Sequence, residues 1–240
     1  METRVDEIAD RIYRLSTFVP DIGPTGFTFN QFVIDADEPA IFHTGPRAMF
    51  PMVSAAVASV LPLERLRWIM FGHLEADECG AMNLFLEVAP NSQVAHTALG
   101  CMVSINDLAD RPPAPIAPNG SYDLGGRRIQ SFDTPHVPHG WDAHVLYEET
   151  TGTLFCGDLL SQVGDGPALT ADDLIDAAVQ TDDMFGATCL TPQTAPTIRR
   201  LAELDPPALA IMHGSSFNGE AAKALTTLAD EYERRLAQAG

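Results

Sequence analysis

Positive charge is what this sequence has least of. Its 14 Lys and Arg face 33 Asp and Glu, a formal net charge of −19. Nucleic acid and anionic membrane surfaces reward basic patches, so neither is an expected partner. Long hydrophobic runs are missing too, and none approaches the roughly 20 apolar residues that span a bilayer. Met1 to Leu15 lacks the basic and apolar regions of a signal peptide, so a cytoplasmic location is expected. The 4 cysteines are Cys79, Cys101, Cys156 and Cys189. They form no CxxC pair and are too sparse for a disulfide scaffold. Absent as well are GxGxxG, a P-loop and GxSxG, which removes the local signatures of dinucleotide binding, nucleoside triphosphate binding and the serine hydrolase elbow. No repeat of solenoid period occurs. What remains is an ordinary globular composition, 45% hydrophobic over 240 residues, enough for a sizeable core.

The densest chemistry lies in His73-Leu74-Glu75-Ala76-Asp77-Glu78-Cys79-Gly80. An imidazole and three carboxylates crowd a turn between a strand-like run, Leu66 to Phe71, and a helix-like run, Met82 to Val88. Burying anions together is costly unless a cation joins them. In a strand-to-helix turn, residues 73, 75 and 77 can converge on one spot. The competing explanation is a polar turn whose acids cap the helix. Cys79 is set apart from the other cysteines only by its position beside this cluster; those read as small core residues.

Around this segment, strands and helices alternate. Val5, Ile8, Ile12 and Leu15 are spaced as on an amphipathic helix. Phe27–Ile34 and Ala40–His43 read as a strand pair, Val53–Leu61 as a helix, and Gln93–Ala95 as a strand followed by a helix near Ala98–Leu108. Arg111–Gly120 carries four prolines and reads as a loop. Arg127–Phe132, Ala143–Tyr147 and Thr153–Cys156 read as strands, Thr170–Phe185 and Pro196–Leu204 as helices, Leu209–Met212 as a buried strand and Gly219–Gln238 as a final helix. That order argues for sheets with helices packed outside. Three more strand-like runs end in metal-capable residues: His136 and His139 with Asp142, then Gly157-Asp158, then His213-Gly214. His43, His96 and His144 lie in or beside strand-like runs without carboxylate neighbours and read as structural.

Taken together, these strand-end motifs resemble the metallo-β-lactamase superfamily, and within it the di-iron branch of flavodiiron and oxygen-binding di-iron proteins. The resemblance rests on Gly26-Phe27-Thr28-Phe29-Asn30, on His73-x-Glu75-x-Asp77 with Gly80, on His139-Gly140-Trp141-Asp142, and on Gly157-Asp158 and His213-Gly214. It implies an α/β fold, a four-layer αββα sandwich, as a single domain over residues 1–240. It also implies two metals: His73, Glu75 and His139 on one, Asp77 and His213 on the other, with Asp158 bridging. His136 competes with His139, which the following Asp142 favours. Hydrolases of the superfamily usually carry a second histidine where Glu75 stands, an arrangement suited to zinc. A carboxylate there suits iron, with manganese or zinc as alternatives. The family often has histidine where Glu78 follows Asp77, so Glu78 is either a further ligand or a helix cap. The implied activity is binding or reduction of dioxygen or nitric oxide. A metal-dependent hydrolase of thioester, lactone or phosphoester, and a non-enzymatic oxygen or redox sensor, are the alternatives. The chain is too short to add a flavodoxin domain, so no flavin is expected in it; electrons are expected from a separate donor protein or from a second subunit that carries flavin, and the chain itself is expected to form a homo-oligomer.

Overall fold

The computed structural model describes residues 2–239. Two seven-stranded sheets face one another. The first runs in chain order: β1 (Thr3–Ala9), β2 (Ile12–Val19), β3 (Phe27–Ile34), β4 (Ala40–Phe42), β5 (Trp68–Met70), β6 (Gln93–Thr97) and β7 (Ala114–Ile116). The second contains β8 (Ser121–Asp123), β9 (Arg128–Asp133), β10 (His144–Glu148), β11 (Thr153–Gly157), β12 (Leu169–Thr170), β13 (Ala208–Ile211) and β14 (Ser216–Phe217), in the spatial order β12-β14-β13-β11-β10-β9-β8.

Alternating side chains divide the core into three. Phe32, Phe42, Met70, Leu146, Phe155 and Ala210 fill the space between the sheets. On the outer face of the first sheet, Val33, Ile41 and Ile69 meet α1 (Phe50–Val60) and α3 (Met82–Val88) through Val53, Val57 and Phe85. On the outer face of the second, Leu154, Leu209 and Ile211 meet α6 (Ile175–Phe185), α7 (Thr194–Ala202) and α8 (Ala221–Ala239) through Ala178, Ile198 and Leu225. The result is the helix–sheet–sheet–helix sandwich that the motifs implied. No helix among the described residues is long and apolar enough to cross a membrane.

Three local expectations are corrected. The N-terminal segment is a β-hairpin, not a helix: β1 pairs antiparallel with β2, with Val5 opposite Leu15. The helical spacing misleads because Arg14 and Ser16 occupy buried positions on β2, which breaks the visible alternation. The proline-rich stretch contains β7, which pairs with β6 at a sheet edge; an edge is where a strand proline is tolerated. The start of Thr170–Phe185 is not helical, since Leu169–Thr170 pairs with β14 and α6 begins only at Ile175. The 98–108 region is helical but broken into α4 (Ala98–Gly100), a π turn (Cys101–Ile105) and α5 (Asn106–Leu108).

Candidate metal centre

The site grows from strand ends at one rim of the sandwich. β5 is followed by Phe71, Gly72 and His73, with Glu75 extended before the short helix α2 (Ala76–Cys79). β10 fixes this exit: the His144 backbone N–H donates to Gly72 O at 2.9 Å, and His144 Nε2 donates to Phe71 O at 2.8 Å. The loop after β9 delivers His139 and is held by Asp142, whose Oδ2 accepts the Leu74 N–H at 3.0 Å. Asp158 follows β11 and His213 follows β13. Asn30 on β3 supports His213 from beneath, donating to Ile211 O and Gly214 O, both at 2.9 Å. Arg14 adds a 2.8 Å bond to the same Gly214 carbonyl.

All six residues of the expected set meet. His73 Nε2 lies 3.0 Å from Glu75 Oε2. His139 Nε2 lies 2.9 Å from Asp158 Oδ2 and 3.4 Å from Glu75 Oε2. His213 Nε2 lies 3.2 Å from Asp158 Oδ1 and 3.3 Å from Asp77 Oδ2. Asp158 therefore turns one oxygen to each half of the cluster. The donor atoms of His73, Glu75, His139 and Asp158 fall within 4.8 Å of one another. His136 is exposed and stays outside the group, while His139 enters it. Glu78 does not cap the following helix α3, whose N-terminus carries no side-chain cap. It is fully buried on the Nδ1 side of His73.

The protonation pattern follows from this crowding. Burial opposes a charge on His73, but Glu78, Glu75 and Asp158 outweigh it and push the imidazole up to about 12. Burial likewise opposes charge on His213, and Asp158 and Asp77 push it up to about 10. His139 is raised chiefly by its bond to Asp158. Burial favours a neutral Asp158, yet His139 and His213 hold it well below the usual carboxylate range.

These donors suit a pair of cations. Atoms about 2.1 Å from a shared ion stand about 3.0–3.4 Å apart at octahedral to tetrahedral angles, close to the contacts above. Asp77 Oδ1 and Asp158 Oδ1 are buried without a hydrogen-bond partner, and a bound ion relieves that cost. His213 Nδ1 donates to Thr28 O at 2.7 Å, which leaves Nε2 as the free donor and fixes the ring, as metal-binding imidazoles require.

A cavity of about 620 Å³ opens over Glu75, Asp77, His139, Asp158 and His213. Its walls were not legible in the sequence: Phe27, Phe29, Leu160, Phe185 and Tyr232 come from four separate segments. Its lining includes no Lys or Arg. Neither Trp141, which is exposed, nor Phe71, which is packed in the core, lines the cavity. Cys79 donates its thiol to Glu75 O at 3.1 Å, and burial pushes that thiol up to about 12, far from a thiolate.

Known proteins share this architecture. Diflavin flavoprotein A 2 of Synechocystis sp. is 28% identical over 202 residues, covering 79% of this chain and 33% of its own length. The solved rubredoxin oxygen:oxidoreductase of Desulfovibrio gigas superposes with a TM-score of 0.78 at 18% identity, covering 96% of this chain and 61% of that one. A metal-soaked Flv1 flavodiiron core from Synechocystis sp. gives 0.79 at 20% identity, covering 96% of this chain and 60% of that one. The chain thus spans about a third of the curated relative's length, and the two structures establish the metallo-β-lactamase-like fold. The family model of the ODP family beta lactamase matches residues 27–214, most of the sequence including every motif of the cluster, and the chain belongs to that family.

Proposed function

We propose that residues 1–240 act as one metallo-β-lactamase-like unit holding two iron ions, and that the unit binds or reduces dioxygen or nitric oxide with electrons from a separate donor protein. His73, Glu75, His139 and Asp158 would hold one ion, and Asp77, Asp158 and His213 the other. One observation carries the reading: Asp158 presents its two oxygens to two different donor sets, and Glu75 puts a carboxylate in the first of them. The ions would supply reversible one-electron chemistry and a place for a diatomic to bind. The protein's own part is to fix the donors, to offset the ions' charge with three carboxylates, and to wall the approach with Phe27, Phe29 and Phe185. The flavodiiron and oxidoreductase descriptions of its relatives support this reading.

A second reading, a metal-dependent hydrolase, is favoured by the cavity. Its volume of about 620 Å³ far exceeds the ~30 Å³ share of a water-sized molecule and admits an organic substrate. The lack of Lys or Arg in the lining argues for a neutral thioester or lactone over a phosphoester.

The test is anaerobic reconstitution with ferrous iron, followed by metal analysis and gas-electrode assays with a chemical reductant. Two irons per chain and consumption of dioxygen or nitric oxide, lost in Asp158→Asn, are expected. Stoichiometric zinc in the native protein, no ferric charge-transfer band and ester turnover by the zinc form would establish the hydrolase instead.

A further inference from the structure

Glu78 is among the least expected side chains in the molecule: a carboxylate with no exposure, one residue after a candidate ligand. Its chamber is built for it. Oε2 accepts the His73 backbone N–H at 2.7 Å. Oε1 lies 3.2 Å from His73 Nδ1 on one side and 3.2 Å from His43 Nε2 on the other, close charge contacts that fall outside hydrogen-bond geometry. His43, itself fully buried, is stacked on Phe42 with ring centroids 4.0 Å apart. The two remaining sides are glycines at the exits of β5 and β11. A Cβ at Gly72 would stand 3.2 Å from Glu78 Oε2, and one at Gly157 would stand 3.3 Å from Oε1. Gly157 also holds φ +55, a backbone region that favours glycine. Both glycines directly precede candidate ligands, His73 and Asp158.

The two nitrogens of His73 therefore face different partners. Nε2 points to Glu75 at 3.0 Å, and Nδ1 points to Glu78. A carboxylate on the far nitrogen fixes the tautomer and ring orientation of a metal-binding histidine and raises its basicity. We propose that Glu78 is a positioning residue of the metal centre, not a ligand: it holds His73 with Nδ1 protonated and Nε2 turned to the ion, and His43 anchors Glu78 from behind. On this assignment the second ion has three protein ligands, Asp77, Asp158 and His213, against four for the first. The inference rests on the metal reading above.

The test titrates the metal-free 240-residue chain with Zn²⁺ against a chromophoric chelator. Wild type binding two ions establishes the metal reading; wild type binding none overturns both that reading and this one. The discriminating background is Asp77→Ala, in which only the His73 ion remains well held. There Glu78→Gln is expected to weaken binding by about 10–100-fold, the range for loss of an outer carboxylate. His43→Gln, which leaves both His73 and Glu78 in place, is expected to weaken the same ion by a smaller factor. It also serves as the readout should the Glu78 variants fail to fold. In the Co²⁺-loaded protein, the slowly exchanging His73 Nδ1–H resonance is expected to be lost in Glu78→Gln. No change in either variant in the Asp77→Ala background would overturn the proposal. So would a Glu78→Gln effect confined to the second ion of the Asp77 wild type, since that outcome makes Glu78 a ligand.

Discussion

Metal loading of this site should expel protons, and the number follows from the structure. At neutral pH the metal-free cluster carries His73 and His213 as imidazolium, because their pKa values are pushed up to about 12 and about 10. The Nε2 atoms of both rings face carboxylates at 3.0–3.3 Å, where the ions would sit. An ion can take only a deprotonated nitrogen, so each ring must surrender one proton. Asp158, held well below the usual carboxylate range, is already ionised and releases none. Two protons are the minimum, and His139, also raised, supplies a third to the extent that it is charged. The sign is fixed: the metal-free state binds more protons, so affinity rises with pH. Each expelled proton is worth about tenfold per pH unit, so the product of the two binding constants should rise about 100–1,000-fold per unit. Calorimetric titration with Zn²⁺ in buffers of different ionisation enthalpy counts the protons directly. Release of fewer than about two protons, or an affinity flat from about pH 6 to 8, would refute the reasoning.

Three further outcomes are expected. Glu75→His replaces a carboxylate donor with an imidazole and should shift competitive loading about tenfold from iron toward zinc; an unchanged iron-to-zinc ratio by elemental analysis would count against the role given to Glu75. Asn30→Ala removes two buried hydrogen bonds, to Ile211 O and Gly214 O. It should cost about 2–3 kcal/mol in urea unfolding and weaken the ion at His213, and a loss under about 0.5 kcal/mol would exclude this support. The third concerns acid. Burial lowers His144 from 6.5 to about 4. The unfolded chain therefore binds the extra proton first, and this contribution is whole above pH 6.5 and lost as pH falls toward 4. The loss amounts to ~3 kcal/mol at about 1.4 kcal/mol per unit. A His144→Gln variant should show a shallower decline over that range, and an identical slope would remove His144 as the cause.

Much of the site was legible because it is built from strand ends. Polar residues after apolar runs, with glycine or proline to turn the chain, marked His73, Asp158, His213 and the loop that holds both His136 and His139, and the structure brings His73, His139, Asp158 and His213 together. The choice of His139 over His136 came from the family resemblance, in which an aspartate follows three residues later, and Asp142 accepts the Leu74 N–H. What stayed hidden needed contacts between distant segments. His43 carries no local sign of meeting Glu78, and the cavity walls assemble from β3, α6 and α8. The hairpin β1–β2 hides its alternation for a similar reason. Arg14 occupies a core position because its guanidinium reaches Gly214 O, 200 residues away, and no local periodicity records that partner.

The six side chains are divided between the two halves of the sandwich. His73, Glu75 and Asp77 leave the first sheet, while His139, Asp158 and His213 leave the second. Ions clasped there would act as rivets through the seam, so that prising the sheets apart would require stripping the metal first. Such a protein would keep its halves locked for as long as it stayed loaded, and its resistance to unfolding would be a gauge of its occupancy.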